Sequence, residues 1–436
     1  EDGLTMKLIM SEGMKFYDGT DVTPEDVIAS IQYGLDGSDW GYGYSNIESM
    51  EADGKDVILH LSTYRTDLMH FLCTCFMGII KKDCLDTMTD DELQWGAIPY
   101  GAFYVDEYIP GDRIILKPNP YYKTNLPLLK NKGPVDLDYI TVIVADTEAF
   151  TQTTMLANGE VDVLSGINME QHAELQSIDS VITLENSYPN IEYFELNQDH
   201  KDLQDINVRK AIMLDRDAME EMCNGAMKPA YSMITEGMQF FSEKAEAYFK
   251  DNLSNNVEEA KRLLAEAGYT MNGEGYLEKD GSVLEFTFLT RSSGTSVTVA
   301  QEMQLQLQEI GIKMNIETID WNYIYERMAD DDYDAGIAVL EWAEAILVLN
   351  YAYYDPNTKS DADMQVYKDL VEKAATSSDM DQAVEYVYEA QMEMFKDCAI
   401  VPLYSDVSYC AYRNDINGLV VCGDGSLFYN DINYAG

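Results

Sequence analysis

The feature that most constrains this chain is a strand–helix–strand pattern that occurs twice. "YITVIVAD" (Tyr139–Asp146) is a continuous β-branched run that predicts a strand covered on both faces. "TEAFTQTTMLANGEVDVL" follows as a helix closed by Gly159, then a short strand at Val161–Leu164. The second unit is sharper: strand "LEFTFLT" (Leu284–Thr290), helix "VTVAQEMQLQLQEIG" (Val297–Gly311) and strand "KMNIETID" (Lys313–Asp320). Such alternation predicts α/β architecture, because a parallel strand can return only through a crossover.

At 436 residues the chain exceeds one small core, so two or three domains are expected. The intervening segments fill them. "KDVILHLS" (Lys55–Ser62) alternates as a half-buried strand, and "DRIILKPNPYYK" (Asp112–Lys123) reads as a strand running into a Pro-broken loop. Leu128–Asp138 reads as a connector. Strand "IEYFELNQ" (Ile191–Gln198) precedes the helix "DINVRKAIMLDRDAMEEM", and Asn255–Tyr269 is an amphipathic helix closed by Gly268. A strand at Tyr333–Trp342, helices at Asp361–Ala375 and Met380–Phe395, and a final strand "AIVPLYS" complete the reading. Near the front, "SEGMKFYDGTDVTPEDVIASI" holds an Asp18-Gly19 turn and then a helix start, with Thr23 as N-cap, Pro24 at the first position and acidic Glu25 and Asp26 behind it.

Charge excludes whole classes of function. With 29 Lys plus Arg against 78 Asp plus Glu, the net charge of −49 opposes nucleic-acid and anionic-lipid partners. An acidic, solvated surface is the preferred account, with cationic ligands a weaker possibility. No run reaches the length of a membrane span, and no basic-plus-apolar leader stands at the front. The seven cysteines are scattered. Cys73-Thr74-Cys75 lacks metal or redox spacing; Cys410 and Cys422 could pair if their strands adjoin, but free buried thiols are the preferred reading. Four dispersed histidines form no cluster.

Three stretches invite chemistry. "ADDDYDAGIAVLE" puts Asp330, Asp332, Asp334 and Glu341 at calcium-loop positions, but Ala335 stands where the bend needs Gly, so an acidic turn entering a strand is preferred. Trp342 ends its strand before an irregular stretch, a place where side chains often face a cleft; a core Trp is the competing reading. Arg291 follows its strand and opens the loop before a helix, which suits an anionic ligand group; a salt bridge to the acidic surface is the competing reading. No P-loop, G-x-G-x-x-G or G-x-S-x-G occurs.

Several segments together resemble, in order, the extracellular solute-binding proteins of dipeptide, oligopeptide and nickel ABC importers. "EDGLTMKLIMSEGMKFYDGTDVTPEDVIASI" resembles the family's G-x-K-F-x-D-G stretch and its capped helix. "IPYGAFYVDEYIPGDRIILKPNPYY" is similar to its G-T-G-P-Y strand and R-x-x-L-x-x-N-P-x-Y, with Pro99-Tyr100-Gly101-Ala102-Phe103 in the glycine-rich part. "MLANGEVDVL", "LQDINVRKAI", "EEAKRLLAEAGY", "LQEIGIKMNIE" and "YDAGIAVLEW" complete the set.

The resemblance implies a bilobal periplasmic-binding-protein-like α/β fold with two hinged lobes and an additional β-rich domain. It implies residues 1–135 as the extra domain, 136–220 with 408–436 as lobe I, and 221–407 as lobe II. In the family a leader and an initial lobe-I segment precede "EDGLT", so the resemblance implies that both are missing here. It also implies a monomer that is periplasmic or lipid-anchored at the outer face of the cell membrane. This protein would have no catalytic site and no cofactor, and would pass a peptide or peptide-like solute to permease subunits. The ligand would bind between lobes hinged near Ser187–Ile191 and Val407–Tyr412, and would favour the closed form. Trp342, Arg291, Glu344 and Tyr188 are the implied ligand contacts, Glu344 replacing by charge the family's Asp where Val348-Leu349 stands for Asp-Pro. Apolar Ile346, Leu347 and Val348 argue against a free peptide amine there, and the absence of His from lobe II argues against nickel. The alternative is an extracellular hydrolase of glycans or acidic polymers, and a third class is a surface adhesion module.

Overall fold

The computed structural model describes residues 3–37, 41–74, 77–144, 148–254, 256–292, 295–352 and 364–434. Cys75, the loop positions Ser293 and Gly294, and the start of the expected helix Asp361–Ala375 lie outside them. Two compact units result: Glu1–Asn186 with Ser408–Gly436, and Ser187–Val407.

The first unit is built from small antiparallel sheets. Thr5–Leu8 and Ile47–Asp53 flank Asp56–Leu61 in one; Phe103–Ile109, Arg113–Pro118 and Ile140–Ile143 form a meander in another. The opening motif is structural. Phe16 is fully buried, Gly19 turns at φ +85, and the Asp18 carboxylate accepts from Thr20 N–H at 2.9 Å and pairs with Lys81 at 2.8 Å. Thr23 and Asp26 then cap Pro24–Gly37 reciprocally: Thr23 N–H donates to the Asp26 carboxylate at 2.7 Å, and Asp26 N–H to the Thr23 hydroxyl at 3.3 Å. Helix Ala149–Asn158 ends at Gly159 in the left-handed region, where a Cβ would meet the Arg413 guanidinium.

The first strand–helix–strand expectation is corrected here. Ile140–Ile143 pairs antiparallel with Arg113–Pro118 and is largely exposed, and Val163–Ile167 pairs antiparallel with Tyr409–Tyr412. A β-branched run specifies a strand, but neither its partner nor its coverage. The six described cysteines are free thiols, so Cys410 and Cys422 do not pair. Burial pushes Cys398 and Cys410 up to about 11, which suits inert core thiols.

The second unit has one central sheet, in the order Met227–Pro229, Ile400–Arg413, Ile191–Leu196, Ala335–Leu340, Glu285–Arg291, Lys313–Ile319. Its last three strands are parallel, and helix Ser296–Glu309 makes the crossover between Glu285–Arg291 and Lys313–Ile319, as that pattern predicts. Phe194, Phe286 and Phe288 are buried in its core, with Phe194 and Phe288 edge to face at 5.1 Å.

Residues 187–220, expected in lobe I, belong to this second unit. Strand Ile191–Leu196 lies inside the sheet, and every one of its residues is buried. Arg209, from "INVRKA", is buried and donates to the carbonyls of Asp397 (2.7 Å), Leu203 (2.8 Å) and Gln204 (2.9 Å). Arg216 does the same for Pro402 (2.9 Å), Leu214 (3.0 Å) and Leu253 (2.8 Å), with its guanidinium over Tyr231. These guanidiniums staple the segment to Asp397 and Pro402, at and before the start of strand Ile400–Arg413, since breaking them would leave several buried acceptors without partners.

Candidate functional site

In a parallel α/β sheet, side chains gather beyond the carboxyl ends of the strands, where the chain turns into helices. Three such ends meet in the second unit. Arg291 closes Glu285–Arg291, Trp321 opens the helix after Lys313–Ile319, and Glu341-Trp342 follow Ala335–Leu340. Leu340 is in register with Ile191, which brings the start of the Ile191–Leu196 strand, and Tyr188 before it, to the same end of the sheet.

A recess of about 410 Å³ opens there. Tyr193, Trp321, Tyr325, Trp342 and Tyr351 supply its aromatic lining, with Val339, Leu340 and the carboxylate-bearing Glu341. Trp342 and Tyr351 lie 4.8 Å apart between ring centroids, and Trp321 meets Tyr325 edge to face at 4.5 Å. Tyr325 donates its hydroxyl to Val339 O at 3.3 Å; burial pushes it up to about 12, so it stays a neutral ring.

Beside the recess runs a buried polar network. Arg291 pairs with Glu192, donates to the Ser296 hydroxyl at 3.0 Å and stacks 5.0 Å from the Trp321 ring centre. Glu192 is fully buried and also accepts from the Tyr404 hydroxyl at 2.7 Å. Asn190 and Asp406 bond reciprocally, at 2.7 Å side chain to side chain and 2.8 Å from Asp406 N–H to the Asn190 carbonyl oxygen. Burial pushes Glu192 up to about 7, helped by the Asp406 charge and opposed by Arg291 and Tyr404. Asp406 is also raised, by burial, against its Asn190 hydrogen bond. Arg291 thus pairs directly with Glu192 and lowers Asp406 only through its charge.

All four residues singled out from sequence lie in this unit, but they do different things. Trp342 lines the recess. Arg291 is a quarter exposed, and its charge is met by the buried Glu192, not by a carboxylate of the acidic surface. Tyr188 is half-buried and donates its backbone N–H to Asp406 O at 3.1 Å. Glu344 is fully buried, and its carboxylate accepts from Leu347 N–H at 2.7 Å: it caps helix Ala345–Ala352 and does not line the recess. The stretch after Trp342, read as irregular, is this helix; its apolar face is buried and only Tyr351 among its aromatic residues reaches the recess.

Tyr193, Trp321, Tyr325 and Tyr351 were not singled out, and Glu341 was singled out only as a candidate calcium-loop position. The signal was present for two of them, because Trp321 and Glu341 directly follow strands of the legible parallel unit. The acidic stretch before Ala335–Leu340 is a helix C-terminal turn. Asp330 caps Trp321–Ala329, Asp331 takes φ +59, and Arg327 binds Asp332 at 3.1 Å. Among the described residues no group of three or more His, Cys, Asp or Glu is placed to hold a metal ion.

Comparison with known proteins identifies the class. The family model of bacterial extracellular solute-binding proteins, family 5 (middle part), matches residues 1–365, and the chain belongs to that family. Curated relatives include the oligopeptide-binding protein AppA of Bacillus subtilis, 25% identical over 91% of this chain and 75% of its own length. The periplasmic oligopeptide-binding protein OppA of Salmonella typhimurium is 24% identical over the same shares. Among solved structures, the ABC transporter substrate-binding protein CtaP of Listeria monocytogenes superposes with a TM-score of 0.84 at 19% identity, covering 100% of this chain and 89% of its own. NikA of Brucella suis, solved with Fe(III)-EDTA, gives 0.80 at 19% identity over 100% and 89%. This is the periplasmic-binding-protein fold, and the chain is the solute-binding component of an ABC importer, a class without enzymatic activity. Nothing supports the hydrolase alternative; the most perturbed carboxylate, Glu192, lies buried under Arg291 and Tyr404.

Proposed function

We propose that this protein captures a peptide or peptide-like solute outside the cytoplasm and delivers it unchanged to its permease, acting as a monomer that is periplasmic or lipid-anchored at the outer face of the cell membrane. The carrying observation is the aromatic recess at the convergent strand ends, where a solute gains contact area against Trp321, Tyr325, Trp342 and Tyr351. In this reading Trp342 and Tyr351 pack on the solute and Tyr188 forms part of the rim. Arg291 is a positioning residue that holds Trp321 while Glu192 balances its charge. Glu344 acts only through the helix that carries Tyr351. Among the described residues no helix is long and apolar enough to cross a membrane. The peptide class is supported by the named relatives.

Mass spectrometry of what co-purifies with the native protein, followed by a thermal-shift screen of peptides, tests this. A retained solute that raises the melting temperature and is recovered with unchanged mass is the expected result, because a ligand bound only to the folded state stabilises it. Turnover of any screened solute would overturn the reading.

A further inference from the structure

Behind the recess, a fully buried carboxylate leans on a single cation. Among the described residues Glu192 has one ion-pair partner, Arg291, which is a quarter exposed and stacks 5.0 Å from the Trp321 ring centre. Next to Glu192 in its strand, Tyr193 lines the recess together with Trp321. The groups facing Glu192 come from each element packed on it. Strand Ile400–Arg413 supplies the Tyr404 hydroxyl, which donates at 2.7 Å, and the Asp406 carboxylate. Strand Glu285–Arg291 supplies Arg291, and helix Trp321–Ala329 the phenol of Tyr325. Strand Ala335–Leu340 sets uncharged Val339 opposite it in register, with Glu341 beyond, on the recess.

Burial and the Asp406 charge favour a proton on Glu192, whereas Arg291 and the Tyr404 hydrogen bond favour its loss. The balance leaves Glu192 at about 7, so its charge changes across the neutral range. Ionised, it neutralises the guanidinium, which the Ser296 hydroxyl also holds at 3.0 Å. Protonated, it leaves a partly desolvated guanidinium without a counter-charge, and such a cation gains by turning to water. Trp321 then loses the cation that covers one of its faces.

We propose that Glu192 is a proton-operated positioning residue for the recess: its ionised form keeps Arg291 on Trp321 and that wall in place, and its protonated form releases both. The inference deepens the solute-binding reading and rests on it for its consequence, a firmer hold on solute above neutrality than in acid. Fold stability and recess order then run in opposite directions with pH, because the folded unit binds the Glu192 proton more tightly than the unfolded chain does.

Acrylamide quenching of tryptophan fluorescence in the full chain, without solute, tests it between about pH 5 and about pH 8.5. The Trp321 component is the difference between the parent and Trp321→Phe. It should lose protection as pH falls, with a midpoint at about 7. Glu192→Gln should give the acid-side quenching at every pH. Tyr404→Phe removes a hydrogen bond to the ionised form and should move the midpoint up by roughly one pH unit. Asp406→Asn removes a charge that opposes ionisation and should move it down. A merely structural role would not shift the midpoint in opposite directions, so these two variants carry the test if Glu192→Gln does not fold. Quenching of Trp321 that ignores pH, a transition that survives Glu192→Gln, or one midpoint shared by both other variants and the parent overturns the inference. Each of these leaves the solute-binding reading standing, since no solute takes part.

Discussion

The two units hold themselves together differently. The second has a large central sheet whose strand Ile191–Leu196 is buried along its length, a continuous apolar core, and two buried guanidiniums tying the 209–216 segment to Asp397 and Pro402. The first distributes its strands over small sheets and leaves large apolar side chains at its surface, among them Ile9 (78% exposed), Phe150 (73%) and Trp95 (60%). The recess belongs to the unit with the deeper core. Aromatic walls can hold a solute in one pose only if the strands beneath them do not move, and close packing supplies that.

The largest effect that would sharpen this contrast is in the core. Phe288→Ala should cost the second unit about 3–5 kcal/mol, whereas Phe150→Ala on the first should stay within about 0.5 kcal/mol. Denaturant unfolding with a probe in each unit checks this, and comparable losses would break the comparison.

The units should also differ in the sign of their pH response. Glu192 is raised in the folded state from 4.5 to about 7, so the folded second unit binds its proton more tightly than the unfolded chain. Its contribution is complete below about 4.5 and is lost as pH rises to about 7, on the order of 3 kcal/mol. Asp18 in the first unit goes the other way. Burial would raise it, but the Lys81 ammonium and the Thr20 hydrogen bonds outweigh that and lower it to about 2. Its contribution is present above 3.8 and is lost as pH falls through about 2. Stability measured against pH in Glu192→Gln should show a flatter slope between 4.5 and 7 than the parent. An unchanged slope would remove Glu192 from the account.

A smaller effect concerns the helix that carries Tyr351. Glu344→Ala removes its capping acceptor and should cost about 1 kcal/mol, with solute affinity falling only through the loosened ring. A direct ligand role for Glu344 would instead show as a large affinity loss with no change in stability.

The sequence disclosed these regions unequally. The parallel unit around Glu285–Arg291 was legible because helix and strand periods alternate cleanly there, and its strand ends marked Arg291 and Trp342. The β-branched run at Tyr139 suggested a covered strand, yet Ile140–Ile143 is an exposed meander strand. Pairing partners are set by distant segments, and local composition does not encode them. Residues 187–220, expected with lobe I, fall in the second compact unit for a similar reason. The charge of Arg209 reads as a surface feature until the carbonyls of Asp397, Leu203 and Gln204 are seen around it. Glu344 is ambiguous in sequence because a carboxylate near a site and a carboxylate capping a helix look alike in one dimension. Tyr193, Tyr325 and Tyr351 come from a strand and two helices, and only the fold brings them together.

The central claim is that the aromatic end of the second unit grips a solute and leaves it chemically intact. Calorimetry of the co-purified solute, released and returned to the emptied protein and to Trp342→Ala, tests it most directly. The account predicts a loss of affinity of about tenfold or more in the variant, with the solute recovered at its original mass from both proteins. Equal affinity in the two proteins, or a solute of altered mass, would contradict it.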